Sequence, residues 1–327
     1  MTDHRSPAVR YPAETIFGTR LVAMVTPMRP DGSVDEPAVP GLVDHLLAGG
    51  CDGIVVAGTT GEAPTLSDAE TVALIEAVVA RAAGRARVVA GVGTYDTAAS
   101  VRRAREAAAA GADALLVVCP YYSRPTQAGV VAHCVAVADA TDLPVMLYDV
   151  PARAGLAMTE ATLVELARHP RILAVKDAKG DLFEAMSVMD RTSLAYYCGI
   201  DELNLPYLAC GATGVLSVVG NVVPDRVAAL VDAVRHGDLD AARAVQAGLL
   251  PLVRAVMGSS PGAVTAKAAL VEVGVLEHAT VRLPMLPASP DDVRRLRDAL
   301  AGRARPMLAA GTGNDPGRRP ERYPARA

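Results

Sequence analysis

Residues 53–93 read GIVVAGTTGEAPTLSDAETVALIEAVVARAAGRARVVAGVG. Two apolar runs, GIVVAG (53–58) and RVVAGVG (87–93), enclose an alanine-rich stretch, SDAETVALIEAVVARAAG (67–84). That stretch carries apolar residues at helical spacing and closes on a glycine, the expected cap. The flanking runs are near-continuous instead of alternating, as strands covered on both faces should be. Strand, helix and strand make one parallel crossover unit.

Six further runs carry the same mark: RLVAMVT (20–26), ALLVVCP (114–120), PVMLYDV (144–150), ILAVK (172–176), LAYYCG (194–199) and GVLSVV (214–219). Helical stretches such as DEPAVPGLVDHLLAGG (35–50), TAASVRRAREAAAAG (97–111) and TQAGVVAHCVAVADAT (126–141) separate them. Eight strand–helix units in about 220 residues predict the α/β class and a (β/α)8 TIM barrel. A doubly wound sheet normally opens with a GxGxxG turn after its first strand, and PMRPDG (27–32) follows here instead. The barrel is expected over 16–224, after an N-terminal extension at 1–15. Past residue 224 the strand signal stops. Helical stretches at 224–257 (broken near Gly237-Asp238), 261–274 and 289–302 predict a C-terminal helical appendage over 225–302. The Gly-, Pro- and Arg-rich tail, 303–327, is expected to be disordered.

The chain has 327 residues, 51% hydrophobic and 21% charged, with a net charge of −4. That balance is globular and gives no reason to expect nucleic acid or an anionic membrane as partner. No apolar run is long enough to span a bilayer. MTDHRSPAVRYPAETIFG (1–18) lacks the apolar core of a signal peptide, so the cytoplasm is the expected location. Cys51, Cys119, Cys134, Cys198 and Cys210 are scattered without a CxxC pair, and the histidines never cluster. Disulfides and a metal site are both disfavoured.

In a barrel, chemistry belongs at the C-terminal ends of strands. Strand 2 ends in GTTGE (58–62), strand 4 in PYYSRP (120–125), strand 5 in YDVPAR (148–153) and strand 6 in Lys176. Strand 7 ends in CGID (198–201) and strand 8 in SVVGN (217–221). Taken singly, each residue has a plain structural reading. Thr59 and Thr60 could cap the following helix. Tyr121, Tyr122 and Tyr148 could be core aromatics with wet hydroxyls. Arg153 could be a surface charge, and Lys176 or Lys179 a snorkelling or ion-paired lysine. A structural role does not predict that hydroxyls, phenols, an arginine and a lysine gather on one face. Together they suit a dry amine that condenses with a ketone to a Schiff base and then an enamine. A carboxylate on the substrate would find the GTTG backbone or Arg153. The glycines around strand 8 could make a phosphate site, but the next helix opens on Pro224-Asp225, and that carboxylate would repel phosphate.

GTTGE, PYYSRP, YDVPAR and the strand-terminal lysine of VKDAKGD, in order and in register, resemble the class I pyruvate-dependent aldolase (N-acetylneuraminate lyase) family. The resemblance spans roughly residues 15 to 302. Within the family it is nearest the branch that condenses pyruvate with L-aspartate-4-semialdehyde in lysine biosynthesis. It implies a metal-independent lyase without a cofactor, built as a tetramer of two tight dimers. It implies that Lys176 forms the Schiff base, with Tyr148 as proton donor and acceptor. Thr59 and Tyr122 would complete a proton relay, Tyr122 reaching in from the neighbouring subunit. Thr60, with Thr59, would hold the pyruvate carboxylate, and Arg153 the carboxylate of the aldehyde. Gly199 and Leu216 would line the substrate site, and Lys179 has no family role.

The chain departs from the family pattern in places. KDAKGD stands where KEATG or KEASG is common, and Ile200 where an acidic residue is common. At the lysine-feedback site, the matching positions are Tyr95, Asp68 and Ala99 in place of asparagine, histidine and glutamate. Weak inhibition by lysine is therefore expected. The rival readings are an aldolase of 2-keto-3-deoxy sugar acids or N-acetylneuraminate, and a barrel that binds a keto acid without turning it over.

Overall fold

The computed structural model describes residues 13–258 and 260–301. Eight parallel strands close into a barrel in sequence order: β1 (Arg20–Ala23), β2 (Gly53–Val56), β3 (Arg87–Gly91), β4 (Ala114–Val118), β5 (Val145–Asp149), β6 (Ile172–Asp177), β7 (Ala195–Cys198) and β8 (Gly214–Ser217). The continuous apolar runs have a simple cause. Alternate side chains point inward or outward, and both sides are dry. Leu21, Val55, Val89, Leu116, Met146, Tyr197 and Leu216 fill the barrel. Their neighbours Val22, Ile54, Val88, Leu115, Leu147, Val175 and Val215 pack outward in the larger core.

Seven strands stop short of the apolar runs that announced them, because the chain leaves the ladder at the mouth. β6 does the reverse. It runs one residue past Lys176, since Lys176 and Asp177 pair with Tyr148 and Asp149 on one side and with Tyr197 and Cys198 on the other.

The helices are α1 (Ala13–Phe17), α2 (Val39–Ala48), α3 (Asp68–Ala82), α4 (Thr97–Ala109), α5 (Gln127–Ala138), α6 (Pro151–Ala154), α7 (Glu160–Leu166), α8 (Leu182–Arg191), α9 (Asn204–Ala209) and α10 (Pro224–Arg235). Beyond them lie α11 (Leu239–Met257), α12 (Gly262–Glu272) and α13 (Pro290–Ala301). Phe17 at the end of α1 joins the barrel-filling cluster, its ring edge-on to Tyr197 at 6.1 Å. α10 and α11 part at Gly237, where φ is +76°, and Asp238 restarts the helix by accepting from the Ala241 amide at 2.9 Å. α12 is buried from Gly262 to Leu270, Lys267 included. The tail expected to be disordered at 303–327 lies outside the described residues, as do positions 1–12 of the N-terminal extension.

Candidate active site

Tyr148 and Lys176 are partners across the β5–β6 ladder, buried to 6% and 5% exposure. The Lys176 Nζ lies 4.1 Å from the centroid of the Tyr148 ring. Three of the 32 basic residues are lysines, and none is exposed: Lys176 and Lys267 are buried and Lys179 is half-buried. Lys179 and Lys267 are ion-paired. Among the described residues, Lys176 alone has no carboxylate partner. Its amine faces an aromatic ring instead of an anion, so it is not committed to a structural bond.

Gly199, which follows β7, makes room for that side chain. A Cβ there would sit 2.9 Å from the Lys176 Cε and 3.0 Å from the Asp177 carbonyl. Gly199→Ala is therefore expected to push the amine off its position. A misplacement of about 1 Å costs on the order of a hundredfold in the rate of imine formation. Rapid-mix trapping beside a melting curve checks this: a rate within threefold of the parent chain at unchanged melting temperature would refute it.

The GTTGE turn follows β2. Neither threonine caps α3, because Ser67 does so in a capping box with Glu70. Thr60 is buried and Thr59 exposed, and neither hydroxyl has a protein partner among the described residues. The turn itself is fixed, by Glu62 N to Thr59 O at 3.1 Å and by the Thr26 hydroxyl donating to Gly61 O at 2.7 Å. At this mouth a cavity of about 240 Å³ is lined by Thr59, Tyr148, Arg153, Tyr121, Leu116, Val118 and Arg103. A smaller hollow shares Thr59 and Arg153 and adds Thr60, Met257 and Met285.

The remaining predicted residues fall elsewhere. The Leu216 side chain is fully buried in the barrel filling, which leaves only its backbone to face the site. Tyr122 is 90% exposed with φ at +72°, a left-handed conformation uncommon outside glycine. It does not line the cavity of its own chain. Tyr121 does, with its hydroxyl 3.5 Å from that of Thr94 and its ring edge-on to Tyr95. Arg103 gave no signal in sequence, since VRRARE on α4 reads as a solvated helix face. Its Nε donates to Asp68 at 2.9 Å, and Arg102 takes the other carboxylate oxygen at 2.8 Å.

Behind the reacting face, between barrel and helices, lies a buried charge cluster. Asp149 and Asp177 are the ladder pair directly after Tyr148 and Lys176. Lys179 reaches back to Asp149 at 3.2 Å, to Glu184 at 2.8 Å and to the Met158 carbonyl at 3.0 Å. Its ammonium thus passes over Asp177 and Asp181, its near neighbours in sequence, although its backbone amide donates to the Asp177 carboxylate at 2.7 Å. Asp181 caps α8 instead. Burial pushes the Asp149 carboxyl up to about 6, against the pull of Lys179, and burial raises Asp177 as well. Burial also works against the Lys179 ammonium, but Glu184 and Asp149 outweigh it and its pKa rises. One cation serves several acids, so it stays charged while the acids compete for it. The Tyr207 hydroxyl faces Asp177 without reaching hydrogen-bond geometry.

The turn after β8 is closed to phosphate. The amides of Val218 and Val219 donate to the Asp201 carboxylate at 2.9 and 3.0 Å, and the Asn204 amide and Ser217 hydroxyl complete its shell. An internal carboxylate already holds the donors an anion would need. Ile200, beside it, packs with Leu203 over the Gly180 turn, an apolar role where an acid was looked for. Among the described residues no three His, Cys, Asp or Glu side chains are placed to hold a metal ion. No described helix is long and apolar enough to cross a membrane.

A model of the dihydrodipicolinate synthetase family matches residues 16–302. The chain is similar to the 4-hydroxy-tetrahydrodipicolinate synthase of Kineococcus radiotolerans, 51% identical over 296 residues, covering 90% of this chain and 96% of that protein. Among solved structures it is similar to a dihydrodipicolinate synthase from Bacillus anthracis, with a TM-score of 0.84 and 37% identity, covering 89% and 99% of the two chains. It is also similar to the chloride-inhibited dihydrodipicolinate synthase from Acinetobacter baumannii complexed with pyruvate, with a TM-score of 0.84 and 35% identity, covering 87% and 98%.

Proposed function

The chain belongs to the dihydrodipicolinate synthetase family, and from that premise we propose that it is a lyase condensing pyruvate with L-aspartate-4-semialdehyde to 4-hydroxy-tetrahydrodipicolinate, through an imine on Lys176. What carries this reading is the uncommitted Lys176 amine over the Tyr148 ring, beside a cavity that holds Thr59 and Arg153.

The amine attacks the keto carbon and water leaves, giving a ketimine. Loss of a methyl proton gives the enamine, whose carbon attacks the aldehyde. The amino group of the second substrate then closes onto the ketimine carbon and displaces Lys176. Each step moves a proton, and Tyr148 and Thr59 are the hydroxyls at hand. Tyr122 is supplied to this relay across a dimer interface, a role suited to a tyrosine held outward in a strained conformation. The free hydroxyls of Thr59 and Thr60 take the pyruvate carboxylate, and the Arg153 guanidinium takes that of the aldehyde. Gly199 shapes the site around the lysine, and Leu216 lines it through its backbone. Two tight dimers associate as a tetramer. The five unpaired cysteines suit the reducing cytoplasm.

Borohydride reduction with pyruvate, followed by peptide mapping, tests the reading. Label on Lys176 supports it; label on another lysine, or none, overturns it. Turnover with aspartate semialdehyde and not with glyceraldehyde separates it from the sugar-acid aldolases, and Arg153 at the cavity favours the acidic aldehyde.

Lysine is expected to inhibit weakly. Asp68, at a matching feedback position, is already neutralised by Arg102 and Arg103, and Ala99 offers no carboxylate for an ammonium group. Titrating lysine against activity checks this, and half-inhibition at sub-millimolar lysine would contradict it.

A further inference from the structure

Glu62 ends the GTTGE turn, and its carboxylate forms an ion pair with Lys267 of α12, both side chains fully buried. The partners lie 205 positions apart. Glu62 also accepts from the Arg282 amide at 3.0 Å, and Lys267 donates to the Thr280 carbonyl at 2.7 Å. The Arg282 guanidinium continues outward to Gly32 O at 2.8 Å, Thr65 O at 2.6 Å and the Glu70 carboxylate. Glu62 sits at φ +59°, a left-handed conformation that a residue with a side chain keeps only when its surroundings impose it. The helical region after the barrel therefore grips the turn from behind, two and three positions from the threonines.

Stability alone does not account for the grip. Replacing a buried ion pair by apolar residues of the same volume is often neutral for stability, whereas this pair holds the Glu62 carboxylate by directional bonds from Lys267 and the Arg282 amide. Rotation of the Glu62 backbone would carry Thr59 with it, through the Glu62 N to Thr59 O bond.

We infer that Lys267, with Glu62 and Arg282, positions the Thr59–Thr60 turn to receive the pyruvate carboxylate, so that the C-terminal helices set keto-acid affinity without touching the ligand. The inference rests on the reading that this turn holds the carboxylate.

The test uses the full-length chain and three variants: Lys267→Met, Glu62→Gln with Lys267→Met, and Glu62→Asp. Each is measured for the pyruvate concentration that half-saturates borohydride trapping, for KM of both substrates, and for melting temperature. Lys267→Met strands a buried carboxylate, so it is expected to melt early and to need on the order of tenfold more pyruvate. The double variant buries no charge and should recover its melting temperature while its pyruvate requirement stays high, with KM for the aldehyde moving less. A purely structural pair predicts that both recover together, and that result overturns the inference. If the methionine variants do not fold, Glu62→Asp carries the test, since it keeps both charges and shortens the reach by one methylene. Unshifted pyruvate saturation in it likewise overturns the inference. Failure to trap pyruvate on the parent chain overturns the Schiff-base reading and this inference together; trapping on the parent with unshifted variants overturns this inference alone.

Discussion

Lys176→Met is expected to lower turnover at least about 10⁴-fold and to end borohydride trapping by pyruvate, because it removes the amine proposed to bond to the keto carbon. Methionine keeps the unbranched stem that Gly199 accommodates, so the melting temperature should hold to within a few degrees. Among the described residues no other lysine stands free to replace the amine. Lys179 is held by Asp149 and Glu184, and Lys267 is sealed against Glu62. Residual activity above one part in about a hundred would mean that binding and orientation do most of the catalysis and the imine little. The measurement is a coupled assay alongside intact-mass analysis after reduction.

The second large effect is on stability and has a defined pH signature. Lys179→Met leaves Asp149 buried without its cation, a loss of about 3–5 kcal/mol where the carboxyl is ionised. In the parent chain burial holds Asp149 up to about 6, above its unfolded value near 3.8. The folded state therefore binds the extra proton between those values, and stability falls as pH rises through that window, by roughly 3 kcal/mol in all. Other charges face the same group. Asp177 and Glu184 lie in the cluster, Lys179 opposes them, and Tyr196 and Cys119 border it. Lys179 works with the opposite sign. Against burial, Glu184 and Asp149 raise its pKa; that stabilisation is lost in alkali, and the share owed to Asp149 is present only where that carboxyl is ionised. The Lys179→Met penalty should thus be large at pH 8 and much smaller at pH 5, where Asp149 carries its proton. Denaturant titrations at the two pH values decide it. An equal penalty at both would show that Lys179 acts through packing alone. Asp149→Asn should flatten the slope between about pH 4 and 6 relative to the parent.

The barrel was legible in the sequence because both faces of every strand are dry, which writes each strand as an unbroken apolar run. The placing of Lys176, Tyr148, Thr59 and Arg153 at strand ends was legible too, since strand ends in this architecture are the mouth. Tertiary bonds without local trace were not legible. Lys267 sits in AVTAKAAL, an unremarkable helix stretch, and only the folded chain brings Glu62 to it. Lys179 reads as a lysine that snorkels or pairs with a near neighbour, yet its ammonium pairs with an acid thirty positions earlier. Arg103 looked like one charge among several on α4. Tyr122 stands apart from the cavity of its own chain, 90% exposed. One signal was present and unused, namely that lysine occurs three times where arginine serves everywhere else.

That scarcity reaches beyond the catalytic step. An enzyme that handles a keto acid and a free aldehyde works in contact with reagents that form imines with any accessible primary amine. Arginine stays protonated at every workable pH and does not condense in this way. With two lysines buried, the third held in ion pairs and its surface cations drawn from arginine, the folded molecule offers these carbonyl compounds no free lysine to modify. It should withstand its own substrates at concentrations that would slowly adduct a lysine-coated protein.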